Sequence, residues 1–279
     1  MALPTYTTTS EKISYYGLRV FVGLVLLFLI APILAIMPLS FNSETFFSYP
    51  MPGYSLKWYF GENGFFTNGR WTDALRLSII LAFATTLLAT CLGTLAALGL
   101  SRSNIPGRAA IMAVLISPMI VPVIISAIGL FFFYAFTGLN GTLVGIILAH
   151  TALATPFVVI TVTATLMSFD RTLMRAGASL GAPPHTVFFQ VVMPLILPGV
   201  ISGALFAFVT SFDEVIVILF IGGPEQRTLP RQMFAGIREQ ISPTITAAAS
   251  VLIVFSTILL VTVELLRRRG ERLRGIKPN

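Results

Sequence analysis

Long uncharged apolar runs, separated by short polar breaks, organise this chain. Val20 to Leu39 is twenty residues without a charge, and Leu77 to Leu100, Ala109 to Phe136, Leu143 to Met167, Leu195 to Ile221 and Thr244 to Val263 follow it. A helix rises about 1.5 Å per residue, so about 20 residues cross the hydrocarbon core of a bilayer. The pattern predicts an all-α integral membrane protein with six transmembrane helices. The first run is too long for a signal-peptide core and no small-x-small cleavage site follows it, so it is expected to remain as a span. Pro32, Pro118, Pro122, Pro156 and Pro198 fall within or at the edge of these runs and are expected as kinks whose freed backbone groups neighbours re-satisfy.

The breaks differ in kind. Residues 40–73 mix Gly, Pro and Asn with Phe46, Phe47, Tyr49, Tyr54, Trp58, Tyr59 and Trp71, a composition suited to a membrane interface. Residues 137–142 and 222–243 lie on that same side, the latter with Gly222-Gly223-Pro224 ahead of a short helix over Leu229 to Gln240. Residues 101–108 and 168–194 lie opposite, on the side of both termini. Of the 18 Lys and Arg residues, twelve fall on the terminal side, including Arg267, Arg268, Arg269, Arg272, Arg274 and Lys277 in the tail. Positive charge marks the cytoplasmic face, so both termini are expected inside.

The longest polar break on that side, residues 168–194, is patterned. Leu173, Ala176, Gly177 and Leu180 recur at i, i+3, i+4 and i+7, forming one stripe on a short helix that Asp170 can N-cap. Gly181 suits a left-handed C-cap, and Pro183-Pro184 can open a second helix with Val187, Phe188 and Val191 on its apolar side. The small residues Ala176, Gly177, Ala178 and Ser179 allow close approach by another backbone. An ordinary interfacial loop packed under its own bundle is the alternative.

Composition agrees with the run pattern. The chain has 279 residues, 56% hydrophobic and 10% charged, with a mean hydropathy of +0.89. The net charge of +7 sits largely in the tail flanking the last span, which points to anionic lipid headgroups rather than nucleic acid. Lone Cys91 provides neither a disulfide nor a thiolate metal site and is expected as packing.

Two carboxylates interrupt the fifth run. Asp213 and Glu214 lie between Phe206-Ala207-Phe208-Val209 and Val215-Ile216-Val217-Ile218. An ionised group at that depth costs at least about 2.5 kcal/mol, so both must face protein interior or a watery path. Continuous helix from Pro198 would place Asp213 roughly 22 Å along the span, in its outer half. There it would favour a cationic or amine-bearing solute, or the pair would be structural. His150 in the fourth run is expected mainly in a hydrogen-bonded structural role with solute contact as the alternative, and Ser211, with Thr210 and Ser202, adds possible polar contacts. No metal or cofactor is expected. No G-x-x-x-x-G-K-[ST] loop is present, so nucleotide hydrolysis by that mechanism is excluded. Neither an H-E-x-x-H nor a G-x-S-x-G motif is expected.

Arg175-Ala176-Gly177, then Gly181, Val191, Met193 and Pro194, fits the spacing of the EAA-x3-G-x9-I-x-L-P signature, and the chain resembles the permeases of bacterial ABC importers over nearly its whole length. Ser168-Phe169-Asp170 before it and Pro198-Gly199 after it extend the likeness. Arg175 replaces the usual Glu, reversing a charge, and Gly177 replaces Ala. The resemblance implies a type I importer permease fold as one domain over residues 1–279, with a cytoplasmic coupling helix between the fourth and fifth spans. Arg175, Ala176, Gly177, Leu180, Gly181, Ala182, Val191 and Pro194 would then meet a separate ATPase dimer, which binds the ATP. Ser211-Phe212-Asp213-Glu214-Val215, with His150 and Pro156-Phe157-Val158-Val159, is most similar to the second permease of spermidine/putrescine-type importers. That group implies a second, homologous permease, a periplasmic binding protein and the bacterial inner membrane.

Overall fold

The computed structural model describes residues 8–101, 105–167, 170, 172–239 and 242–273. Arg102, Ser168, Phe169, Arg171, Arg274 and Lys277, used above for topology or resemblance, lie outside them. The described residues form helices α1 (Thr9–Leu39), α2 (Lys57–Phe60), α3 (Gly69–Leu100), α4 (Arg108–Ile120), α5 (Val123–Thr137), α6 (Leu143–Met167), α7 (Thr172–Ser179), α8 (Pro184–Val187), a π-helical turn over Phe188–Val192, α9 (Met193–Phe212), α10 (Ile216–Ile221), α11 (Leu229–Glu239) and α12 (Pro243–Leu273). Among them no strand forms; Asn42 and Tyr54 make an isolated bridge.

Contacts group the chain into two units, Met1–Asn68 with Gln240–Ile253, and Gly69–Glu239 with Val254–Asn279. In the first, α1 starts in a capping box, Thr8 Oγ1 accepting the Glu11 amide while Glu11 Oε2 accepts that of Thr8 at 2.7 Å. It buries none of its residues, as a helix surrounded by lipid can. The following segment is held by polar links. Ser40 Oγ lies 2.7 Å from Tyr59 Oη, Trp58 Nε1 donates to the Asn42 carbonyl at 2.7 Å, and the Phe41 and Tyr59 rings stack at 5.2 Å. Of the aromatics expected at an interface, Trp58 and Tyr59 join Phe41 in a small ordered cluster, while Phe46, Phe47, Tyr49 and Tyr54 stay exposed.

In the second unit α3, α6 and α9 pack together. Their contact residues are small: Ala89, Ala97, Ala154 and Ala207 are buried with Val158, Val162 and Ile196. A Cβ on Gly203 would stand 2.9 Å from the Val158 Cα, so this glycine sets the α6 to α9 separation. Between apolar helices in lipid, association rests on such close packing rather than on exclusion of water. A second core joins Leu81, Ala127, Tyr134, Ile146, Val217 and Ile218 from α3, α5, α6 and α10.

Among the described residues five helices are long and apolar enough to cross a membrane, six if the bent pair α4 and α5 counts as one span, and the fourth of the expected runs coincides with α6 over Leu143–Met167. The third expected run is not one kinked helix. It breaks at Val121-Pro122, and α4 and α5 meet at 102°. Val121 is extended (ψ 131°) and Pro122 has no amide to continue the ladder, so a kink becomes a turn. The fifth run is also divided, after Phe212. Cys91, expected as packing, is exposed on α3.

Candidate functional site

The polar break between α6 and α9 folds as its residue spacing predicts. Asp170 Oδ1 accepts the Thr172 amide at 2.9 Å and caps the start of α7. Hydrogen bonds from Thr172 hold the Asp170 carboxyl below its ordinary value. At the other end the Gly181 amide donates to the Ala178 carbonyl at 3.0 Å and the Ala182 amide to that of Gly177 at 3.1 Å. That pair of bonds is a Schellman turn, and it needs its C′ residue left-handed. Gly181 supplies a φ of +76°.

Within the expected stripe Leu173, Ala176 and Leu180 are exposed, Leu180 by 88%, while Gly177 is half-buried with Val187 beside it. An apolar side chain so open at the end of a short helix is surface offered to something else. Arg175 is exposed on the same helix. Pro183 and Pro184 open α8, and Val187 is buried as expected. The expected Val191 is only half-buried; Val192 takes its place in the core. The π-helical turn over Phe188–Val192 inserts one extra residue per turn and moves the buried position on by one. Pro194 follows directly on the π-helical turn and has no amide to bond back into it.

Behind α7 and α8 lies a cavity of about 820 Å³ lined by Leu95, Leu98, Leu166, Met174, Val187 and Phe188, among others. It lies between the short helices and the ends of α3 and α6. The letters Gly177-Ala178-Ser179-Leu180-Gly181 match a G-x-S-x-G pattern, contrary to the expectation that no such constellation exists. The match is empty, because Ser179 ends a helix that runs into a Schellman turn, whereas a nucleophile elbow needs a strand-to-helix turn.

At the other end of α9, the expected continuous span stops at Phe212. Asp213 caps α9 with its amide on the Val209 carbonyl at 3.0 Å, and Val215 leaves helical geometry at φ −120°. Glu214 Oε1 then accepts the Val217 amide at 2.7 Å, meeting a free amide in the first turn of α10 just ahead of its N-cap Val215. Acidic side chains compete with the backbone for amides, and two in succession provided the signal for a break that hydropathy hid. Asp213 still ends about 22 Å of helix counted from Pro198, but the expected continuation of that helix through Glu214 to Ile221 fails. The pair is divided in use: Glu214 is half-buried and engaged, and Asp213 is exposed.

His150 and Ser211 are brought together. The His150 Nδ1 lies 2.9 Å from Ser211 Oγ, joining α6 to α9, and both residues are buried. His150 Nε2 has no hydrogen-bond partner. Rings of Phe208, Phe212 and Phe255 crowd the same helix end, with Phe212 and Phe255 at 5.2 Å. Neither His150 nor Ser211 faces open space here; Asp213 does. Among the described residues no group of three or more His, Cys, Asp or Glu side chains could hold a metal ion.

Comparison with known proteins agrees with this architecture. Residues 89–272 match the model of the family described as binding-protein-dependent transport system inner membrane component. The chain is 31% identical over 251 residues to the spermidine/putrescine transport system permease protein PotC of Haemophilus influenzae, covering 90% of this chain and 96% of that protein. It is 32% identical to the putrescine transport system permease protein PotI of Escherichia coli K12, over 81% of this chain and 82% of that one. Among solved structures, a bacterial ABC transporter involved in importing the acidic polysaccharide alginate superposes with a TM-score of 0.72 at 16% identity, covering 95% of this chain and 99% of that one. The MetNI methionine ABC transporter gives 0.59 at 18% identity, covering 71% and 95%. The chain belongs to the binding-protein-dependent transport system inner membrane component family, as a multi-pass ABC importer permease that is a transport subunit and not an enzyme.

Proposed function

We propose that this permease forms half of the translocation path of an ATP-driven importer for a small amine-bearing organic solute, polyamine-like in chemistry. It sits in a bacterial inner membrane with both termini cytoplasmic. A second, homologous permease supplies the other half, an ATP-binding cassette dimer the energy, and a periplasmic binding protein the solute. The observation that carries this reading is α7: capped by Asp170, closed by Gly181 and exposing Leu173 and Leu180. It is a rigid knob fit for a groove on a partner. Arg175, Ala176, Gly177, Ala182, Val191 and Pro194 shape or support it. Movement of the knob reaches α9 directly through α8 and the π-helical turn, and α9 ends at the acidic break. Asp213 meets the solute there, while Glu214, Ser211 and His150 hold the helix ends that present it.

The relatives at about 30% identity carry names that specify spermidine and putrescine, and an exposed carboxylate at a helix break suits an amine. The alternative is another small organic solute of the same importer group, such as an opine, a phosphonate or an amino-acid derivative. A gradient-driven secondary transporter is favoured by one observation, the two broken spans, since broken helices are common in that class. Reconstitution separates the two. Proteoliposomes with permeases, ATPase and binding protein are expected to take up solute only with internal or external ATP on the ATPase side. Uptake driven by an ion gradient without the ATPase overturns the importer.

A further inference from the structure

The cavity behind α7 and α8 lies at the other end of α9 from the acidic break: Val192, on its wall, immediately precedes that helix, and Asp213 ends it. Its walls say what it can hold. Met174 and Ala178 line it from α7, Leu98 and Gly99 from α3, and Leu166 from α6. Among the described residues of the walls, Ser101 alone carries a hydroxyl or a charged group, and its Oγ already donates to the Leu98 carbonyl at 2.7 Å. Water is held in a protein interior by several polar partners, which these side chains do not offer, so the space suits an apolar occupant. A Cβ built on Gly99 meets nothing within 4 Å. The room therefore begins at the surface of α3 itself, and its volume of about 820 Å³ falls within the roughly 300–1,000 Å³ of small-molecule sites.

The cavity opens toward lipid. Leu95 and Met174 both line it and are 66% and 43% exposed, so they form its rim. Leu95 also ends a stripe on α3, where Leu88, Leu92 and Leu95 recur at i, i+4 and i+7 and are exposed by 39%, 53% and 66%. An exposed apolar stripe on a membrane-crossing helix faces acyl chains, which are as apolar as leucine itself. The lipid-facing surface of α3 thus runs without a charge into the wall of the cavity. An amine-bearing solute finds no counter-charge there, whereas a hydrocarbon chain needs none.

We propose that this cavity holds one acyl chain of a bilayer phospholipid, so that α7 and α8 rest on the ends of α3 and α6 through lipid. The proposal needs only that α3 cross a membrane, and it stands apart from the identity of the solute. The test places the assembled importer in phosphatidylcholine nanodiscs whose chains are either brominated or plain, bromine being a contact quencher of tryptophan. Phe188→Trp puts the reporter on the cavity wall, Leu88→Trp puts one on the stripe outside it, and each is read against the importer without the added tryptophan. Gly99→Phe fills the cavity from a helical position where Phe is better tolerated than Gly. The fluorescence added by Phe188→Trp is expected to be mostly lost in brominated nanodiscs and to return when Gly99→Phe is combined with it. That added by Leu88→Trp is expected to be lost in both backgrounds. Should Gly99→Phe lower the thermal midpoint, Gly99→Leu fills the same space with a smaller group. Phe188→Trp fluorescence that is equal in brominated and plain nanodiscs overturns the proposal, and so does quenching that neither filling variant relieves, since chains would then only pass outside. Leu88→Trp fluorescence that survives bromination overturns it as well, because a second permease then covers the stripe.

Discussion

The His150 imidazole and the Ser211 hydroxyl meet at 2.9 Å, two residues before the fifth span breaks at Asp213. One buried hydrogen bond thus ties the uninterrupted α6 to the end of the interrupted α9.

Removing one partner strands the other in an apolar setting. Ser211→Ala is expected to cost about 1–3 kcal/mol, the penalty of an unpaired buried polar group. At about 2–4 °C per kcal/mol for a chain of this size, a thermal melt in detergent resolves it. Replacing both partners, His150→Leu with Ser211→Ala, is expected to recover part of the loss. A double variant less stable than either single one contradicts the pairing.

The two carboxylates at the break should separate by assay. Asp213→Asn is expected to raise the KM for a cationic solute roughly tenfold while leaving the thermal midpoint in place. Glu214→Ala removes that acceptor from the first turn of α10 at a cost of about 1 kcal/mol and shows first as a lower midpoint. Unchanged uptake kinetics in Asp213→Asn would return that residue to a structural role.

Gly181 is fixed by its φ of +76°, where any Cβ is strained by about 1–2 kcal/mol. No atom stands within 4 Å of a Cβ built there, so Gly181→Val acts through the turn and not through a clash. The variant is expected to reach the membrane in normal amount and to lose ATPase stimulation by solute-loaded binding protein. Full stimulation would show that the Schellman turn is dispensable.

Asp170 gives the coupling element an acid limit. Its folded carboxyl titrates below the ordinary aspartate value, so the bond to Thr172 is complete above that value and is lost as pH falls through the folded one. Protection of the Thr172 amide from hydrogen exchange, corrected for the intrinsic rate, is expected to be flat through neutral and mildly acidic pH and to drop only in stronger acid. Asp170→Asn should remove that step; protection that falls already near neutral pH would contradict the cap.

Much of this was legible from residue order. The bounds of α6, the cap at Asp170 and the turn at Gly181 follow from local chemistry, where a single residue type decides the geometry. What hydropathy concealed were the interruptions. Val121-Pro122 and Asp213-Glu214-Val215 sit inside runs whose average is apolar, and an average cannot register where one amide goes unpaired. The π-helical turn was hidden differently: it shifts the buried face from Val191 to Val192 without changing composition.

The break at Val121-Pro122 has a further consequence. With 13 and 15 residues, α4 and α5 rise only about 20 and 22 Å, each short of the roughly 30 Å of hydrocarbon. Neither half-helix therefore crosses the hydrocarbon by itself, and the backbone groups freed at the bend have to face protein or water rather than acyl chains.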